Sequence, residues 1–156
     1  MTSQEIFENL QGKFGDQIID LTENVDDWIR VKPEAIADVC HHMRTDPDLH
    51  FESLMCLGGV DYDDHLTVVY NLGSYAHKHK ITLKVEVGRD EPKVPTVEAV
   101  WRVANWHERE AYDMYGIVFE GHSDLRRILC PDDWEGWPLR KDYQVQEYYR
   151  GMKVEV

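Results

Sequence analysis

The segment KITLKVEVGR, Lys80–Arg89, decides the fold, because apolar and polar side chains alternate along it. Successive side chains of a β-strand point to opposite faces, so Ile81, Leu83, Val85 and Val87 share one face. Strict alternation is typical of an antiparallel sheet that packs on one side and meets water on the other. The segment therefore predicts one such sheet.

Neighbouring segments predict the remaining strands. HLTVVYNL, residues 65–72, alternates in the same way. FESLMCLGGVDY, residues 51–62, is largely apolar, which predicts a strand buried on both faces with a bulge or turn at Gly58-Gly59. The connections between these three segments are short enough for hairpins. Two further short strands are predicted at residues 17–22 and 27–32.

Helical periodicity predicts three helices. The first ends at Gly15, and the second begins at Pro33 and ends before Pro47. The third and longest runs from an N-cap at Thr96 to a left-handed residue at Gly116. Helices on one face of a mainly antiparallel sheet define an α+β fold. Two ion pairs four residues apart are expected to support the third helix, Glu98–Arg102 and Arg109–Asp113.

Residues 116–156 show no helical or strand period, although they contain six aromatic side chains. A flexible linker would instead be rich in glycine or polar residues. Half-burying six aromatic rings contributes about 15 kcal/mol, whereas ordering the backbone costs roughly 40 kcal/mol or more. The segment must therefore gain surface from its own domain or from another chain. We predict a core domain of residues 1–116 and an extended, irregular partner-docking tail of residues 117–156.

Charge and cysteine content exclude several classes of function. The net charge is −13, so nucleic acid and anionic membrane surfaces are unfavourable partners. The three cysteines form no disulfide framework and no metal or cluster motif. No signal peptide and no long apolar run is recognisable, which predicts a reducing, cytoplasmic-type compartment.

No convincing catalytic, cofactor-binding or metal site is predicted in this chain. HEREAYD, residues 107–113, lacks the second histidine of a zinc-protease helix, and no glycine-rich phosphate loop is present. A rival hypothesis is a stand-alone enzyme with Glu108, Glu110, Asp113 and His122 as acid and base groups. A free-standing binding module, with a tail that is stable without a partner, is a third hypothesis.

The segment from Trp106 to Tyr143 contains four motifs with many fixed residue types. Through them the chain resembles the respiratory-chain NADH dehydrogenase 30 kDa subunit family, whose bacterial members are the C-type subunits of NADH-quinone oxidoreductase (complex I). The chain departs from the family pattern at Ser123, Trp137 and Gln144, where proline, histidine and proline are usual. The four motifs are Glu108–Glu110, Asp113–Ile117, Glu120–Leu129 and Pro138–Tyr143.

The resemblance implies a role in assembly rather than in chemistry. Family members bind no cofactor and lie in the peripheral arm, on the cytoplasmic side of the inner membrane. They pack against the D-type (49 kDa) subunit, close to the B-type subunit, and meet the membrane only through the complex. NADH, FMN, iron–sulfur clusters and quinone belong to the parent complex, which couples electron transfer to proton translocation. A complex-I-like membrane-bound hydrogenase or other dehydrogenase is the alternative parent.

We predict that the partner interface draws on the last helix and on the tail. The tail's basic residues are expected to pair with acids or backbone carbonyls, and its large aromatic residues to fill pockets, mainly on a partner. The predicted interface residues are Glu108, Arg109, Glu110, Asp113, His122, Arg126, Arg127, Trp134, Trp137, Arg140, Lys141 and Tyr143.

Overall fold

Five strands form the central sheet of the computed structural model, which describes residues 1–154. Their order across the sheet is β1-β2-β5-β4-β3. All neighbours are antiparallel except β2 and β5, which are parallel. The predicted α+β class with a mainly antiparallel sheet is confirmed. The strands are β1 Ile18–Thr22, β2 Trp28–Val31, β3 Ser53–Tyr62, β4 His65–Ser74 and β5 His79–Gly88.

The core lies on the face of the sheet that the alternating residues predicted. Leu66 pairs with Val87, and Val68 pairs with Val85, so apolar residues of β4 and β5 stand side by side. These four side chains are all buried. Each side chain of this size that is fully buried contributes about 1.5–3 kcal/mol.

Strand β3 differs from its prediction, because it is an edge strand that is not buried on both faces. Met55 and Cys56 are exposed. The register shift lies between Leu54 and Cys56, not at Gly58-Gly59. Gly59 has another role: a Cβ atom there would lie 2.6 Å from the ring of Tyr115, so only glycine lets this ring approach the strand.

The first two helices form where they were predicted. Helix α1, Ser3–Phe14, begins with a capping box in which Thr2 and Glu5 bond to each other's backbone N–H groups. Helix α2, Ile36–Thr45, follows a 3₁₀ turn, Pro33–Ala35. Both helices bury an apolar stripe in the core, including Ile6 and Leu10 from the first.

Helix α3, Ala104–Tyr115, begins eight residues later than the predicted N-cap at Thr96. The intervening residues form turns: the Thr96 hydroxyl accepts from the N–H of Glu98, as an N-cap would, and also donates to the carboxylate of Glu108, but no regular helix follows before Ala104. Gly116 ends the helix with φ 74°, the left-handed conformation that was predicted.

Two short parallel strands flank α3, β6 Lys93–Pro95 and β7 Val118–Glu120. Ile117 and Phe119 are buried in the core, so the packed body reaches Glu120 and the boundary predicted at Gly116 lies inside it.

None of residues 121–154 is buried as a whole, although this segment follows a defined path over the body. We call residues 121–154 the tail. Its only strands within the described range are the two-residue pair β8 Tyr148–Tyr149 and β9 Met152–Lys153. The last two residues of the predicted docking tail, 155–156, lie outside the described residues. Within residues 1–154, no helix has both the length and the apolar character needed to cross a membrane.

Candidate partner-binding site

A buried carboxylate on α3, that of Asp113, holds the beginning of the tail. Its Oδ1 accepts a hydrogen bond from Arg127 Nη1 at 2.7 Å. Its Oδ2 accepts from the backbone N–H groups of Ile128, Leu129 and Cys130, at 3.0, 2.7 and 2.8 Å. Burial alone would raise the pKa of Asp113, but the hydrogen bonds outweigh it and the pKa is lowered. Asp113 is therefore a charged, fully satisfied anchor for the tail.

The Arg127 side chain also binds later residues of the tail. Its Nη2 donates to the carbonyl oxygens of Trp134 and Gly136, at 2.9 and 2.8 Å. Its guanidinium also lies 4.7 Å from the ring centroid of Trp137. One arginine thus joins the helix to two later turns of the tail.

Arg109 is buried, and it also binds the beginning of the tail, although not through the predicted ion pair. Its Nε and Nη2 donate to the carbonyl oxygens of Arg126 and Arg127, at 3.2 and 2.9 Å. The predicted ion pair with Asp113 is wrong, because Asp113 is occupied by Arg127. The predicted pair of Glu98 with Arg102 is also wrong, since Glu98 accepts from Asn105 and Ser123.

A second carboxylate, Asp61 at the end of β3, holds the later part of the tail. It pairs with Arg89 and accepts from the backbone N–H of Lys141 at 2.9 Å. Lys141 Nζ lies 3.0 Å from Asp63, and Arg140 Nε donates to the carbonyl oxygen of Tyr115 at 2.6 Å. Sequence reasoning missed Asp61 and Arg89, because they lie far from the tail in the chain.

A third cluster closes the junction between body and tail around Glu108. Burial raises the pKa of Glu108 to about 7, although the Thr96 hydroxyl and the Val97 N–H donate to it at 2.5 and 2.8 Å. The His122 side chain is buried, its Nε2 lies 3.0 Å from the carbonyl oxygen of Asn105, and its Nδ1 accepts from the N–H of Asp124.

Glu98 completes this cluster on its exposed side. Hydrogen bonds from the backbone and hydroxyl of Ser123, and from the Asn105 amide, lower the pKa of Glu98 to about 2. The acidic residues that the rival enzyme hypothesis used are thus bound to protein donors, apart from exposed Glu110. Among residues 1–154, no group of three or more histidine, cysteine and acidic side chains is placed to hold a metal ion.

The predicted interface residues divide into three groups. Glu108, Arg109 and Asp113 are buried within the chain, so they have almost no surface to offer and their direct contact with a partner is corrected to an internal role. A second group is intermediate in exposure, and within this group the side chain of His122 is buried. A third group is exposed. Partner contacts of the last two groups stay a prediction. The second group comprises His122, Arg127, Trp134, Trp137, Arg140 and Tyr143, and the third comprises Glu110, Arg126 and Lys141.

The large aromatic residues of the tail contact one another and the body. Trp137 lies against Gly116, where a Cβ atom would be 2.6 Å from its ring, and its centroid is 5.3 Å from that of Tyr112. Trp134 Nε1 donates to the hydroxyl of Tyr143 at 3.1 Å, and its ring lies 5.1 Å from that of Tyr149 at an angle of 48°. The tail therefore forms a thin, ordered layer rather than a second core.

A patch of exposed apolar residues beside this layer was not predicted. Val103, Trp106 and Leu129 are 49%, 70% and 64% exposed. The signal was present in the sequence, since Trp106 lies outside the apolar stripe that predicts the buried face of the third helix. That stripe is Val97, Val100, Trp101, Ala104, Ala111, Tyr112 and Tyr115.

Comparison with known proteins gives consistent results. The family described as "Respiratory-chain NADH dehydrogenase, 30 Kd subunit" matches residues 29–149. The C-type NADH-quinone oxidoreductase subunit of Chloroherpeton thalassium is 54% identical over 93% of this chain and 62% of its own length. The C-type subunit of Chlorobium phaeobacteroides is 48% identical over 95% of this chain and 92% of its own length. The chain thus spans less than two thirds of the first relative and most of the second.

Two solved structures share the fold. A trypsin-resistant fragment of Nqo5 superposes with a TM-score of 0.65 and 28% identity, over 80% of this chain and all of the fragment. A chain of the membrane-bound sulfane sulfur reductase, an archaeal respiratory membrane complex, gives a TM-score of 0.73 over 90% of this chain and 85% of its own. At 22% identity, this second likeness concerns the fold alone.

Proposed function

Because the chain belongs to the respiratory-chain NADH dehydrogenase 30 kDa subunit family, we propose that it is a non-catalytic subunit in the peripheral arm of a proton-translocating NADH-quinone oxidoreductase. In this role it supports the D-type (49 kDa) subunit while electrons pass from NADH to quinone, and it lies near the B-type subunit. The complex would stand at the cytoplasmic side of the inner membrane, and its FMN and iron–sulfur clusters would reside in other subunits.

One observation carries the scaffolding role: the tail is fixed to the body, yet it buries none of its own residues completely. Leu129, Leu139, Val145, Tyr148 and Met152 are exposed large apolar residues in this segment. Apolar surface that a chain holds in place without burying is a favourable site for another protein.

The hydrogen bonds from the tail to Asp113 and Asp61, which we call its polar ties, make this surface suitable for binding. Ordering a free segment at the moment of association costs conformational entropy, which lowers the affinity. Since the tail is already held by hydrogen bonds from Arg127 and Lys141, most of this cost falls on folding rather than on association. The body supplies a rigid base, and the tail supplies the contact surface.

An equivalent subunit of a complex-I-like machine with another electron donor is the alternative. Its support is the shared fold with the sulfane sulfur reductase chain. The NADH-quinone oxidoreductase subunits at 54% and 48% identity favour the first proposal. Oxidation of NADH by the complex purified through this chain would separate the two.

The scaffolding role is tested by truncation. A chain that ends at Cys130 keeps Arg127 and all three N–H donors to Asp113, as well as the buried Ile117 and Phe119. We expect it to fold, with the far-ultraviolet circular dichroism of the body, but to lose co-purification with the D-type subunit of the same organism.

The matched control is a chain that ends at Glu147, which removes only the terminal β8–β9 pair. We expect this control to keep most of the binding. If the folded chain that ends at Cys130 retains the D-type subunit as well as the full chain does, the tail is not the docking element.

A further inference from the structure

A shallow apolar groove of about 650 Å³ lies between the beginning of α3 and the first part of the tail. Val103 and Trp106 form one side of it, and Ile128 and Leu129 form the other. We call it the α3 groove. Its three exposed apolar members, Val103, Trp106 and Leu129, come from two separate parts of the chain, so the fold itself assembles the apolar patch.

Both sides of the groove are fixed before any partner arrives. Trp106 stands on the regular helix α3. On the opposite side, the backbone N–H groups of Ile128 and Leu129 are held by the buried carboxylate of Asp113. Tryptophan, with tyrosine and arginine, is enriched among the residues that contribute most of the binding energy at the centre of a protein interface.

The rim of the groove carries one charge of each sign. Arg102 and Glu110 both line it, and they lie four residues before and four residues after Trp106. Both are exposed, and within the described part of the chain neither forms a salt bridge. The groove therefore offers a cation and an anion on opposite sides of an apolar centre.

We propose that the α3 groove binds a segment of the D-type subunit in which one large apolar side chain stands between an acidic and a basic residue. The apolar side chain packs on Trp106 and Leu129, the acidic residue pairs with Arg102, and the basic residue pairs with Glu110. This inference rests on the proposed function, and it adds the place and the chemistry of the contact.

The charge of the chain favours another polypeptide over a second copy. Each copy carries a net charge of −13, so pairing two copies across this groove would give a complex of net charge −26, and the two copies would repel each other at moderate salt. The same negative charge disfavours nucleic acid as the occupant.

The test compares three single variants for binding to the purified D-type subunit of the same organism. Trp106→Ala should weaken the binding roughly 30-fold, as expected for a central tryptophan. Arg102→Glu should weaken it roughly fivefold, because it places like charges together. Tyr75→Ala is the matched control, since Tyr75 is an aromatic residue with 74% exposure in the turn between β4 and β5. We expect it to change the affinity less than twofold.

The outcomes separate this inference from the proposed function. If the unaltered chain does not bind the D-type subunit at all, the proposed function is overturned and this inference falls with it. If the unaltered chain binds and Trp106→Ala binds equally well, or if Tyr75→Ala weakens binding as much, only the groove is overturned. Leu129→Asp gives an independent check, with circular dichroism to verify folding, and it too should weaken binding more than tenfold.

A second copy as the occupant has its own signature. If the isolated chain sediments as a dimer and Trp106→Ala as a monomer, the groove joins two copies and the inference is overturned.

Discussion

The body, residues 1–120, and the tail, residues 121–154, hold their shapes by different means. The body buries a continuous apolar core between the sheet and its helices. The tail buries no whole residue and follows hydrogen bonds from Arg127 and Lys141 to carboxylates on the body. Burial depends on side-chain type and period, whereas the polar ties depend on a few specific partners. A single substitution at one of these partners should therefore open the tail and leave the body folded.

The largest effect is expected from Asp113→Ala. Removing this carboxylate takes away the ion-pair partner of Arg127, which keeps only backbone carbonyl acceptors, and leaves three backbone N–H groups without their acceptor. Loss of one partner of a buried ion pair costs about 3–5 kcal/mol. We expect this loss in the free energy that holds the tail closed, measured by native-state hydrogen exchange of residues 126–143.

Asp113→Asn is the matched control, because it keeps the size of the side chain and one acceptor oxygen. We expect an intermediate loss of protection. Unchanged exchange in the tail of Asp113→Ala would contradict the distinction between body and tail, since the tail would then not depend on its polar ties.

An intermediate effect is expected from the titration of Glu108, which lies in the body. Its pKa is about 7 in the folded chain and about 4.5 in the unfolded chain, so the folded form retains a proton across this range. The stabilisation that results is complete below pH 4.5 and is lost as the pH rises through 7. A difference of this size corresponds to about 3 kcal/mol.

Glu108→Gln removes this titration, because the amide mimics the protonated acid. We expect the urea midpoint of the unaltered chain to fall between pH 5 and pH 7.5 by more than that of Glu108→Gln. Parallel pH profiles for the two chains would show that Glu108 does not carry this linkage.

The smallest effect is expected from a pair of glycine substitutions in the left-handed region. Gly116 and Gly151 have φ angles of 74° and 79°, so alanine is strained at both positions. Only at Gly116 would the new Cβ meet the ring of Trp137, whereas nothing lies within 4 Å of the Cβ position at Gly151.

We expect Gly116→Ala to weaken the closed tail by about 1–2 kcal/mol more than Gly151→Ala does, because Trp137 must move. Hydrogen exchange of residues 134–143 in the two variants measures the difference. Equal losses would mean that the contact between Trp137 and the body adds little to the order of the tail.

Periodicity made much of the body predictable from sequence. The alternation in β4 and β5, and the apolar stripe of α1, each follow from spacing alone. The beginning of α3 was not predictable in this way, because Thr96 has the side chain of an N-cap but binds Glu108 across a turn. A local pattern does not reveal that a second partner lies twelve residues ahead.

The tail could be predicted as an irregular segment that needs a surface, but not in its contacts. Asp113 was expected to pair with Arg109 on the same helix, whereas it binds Arg127 in the tail. The role of Asp61 was not predictable from spacing, since it lies 80 residues from Lys141. The apolar stripe predicted the burial of Ala104 and Ala111, but not that of the charged residues Glu108, Arg109 and Asp113. It also gave no role to Trp106, which the helix leaves exposed.

The position of the Arg127 side chain has a consequence for digestion of the chain. A protease that cleaves after arginine must draw the guanidinium into its own acidic pocket, and here that group is already shared between Asp113, Trp134 and Gly136. Cleavage at this bond must therefore wait until the tail opens, and its rate follows the open fraction. The interaction that orders the segment therefore also protects the peptide bond after Arg127, and only a copy whose tail has opened is cleaved there.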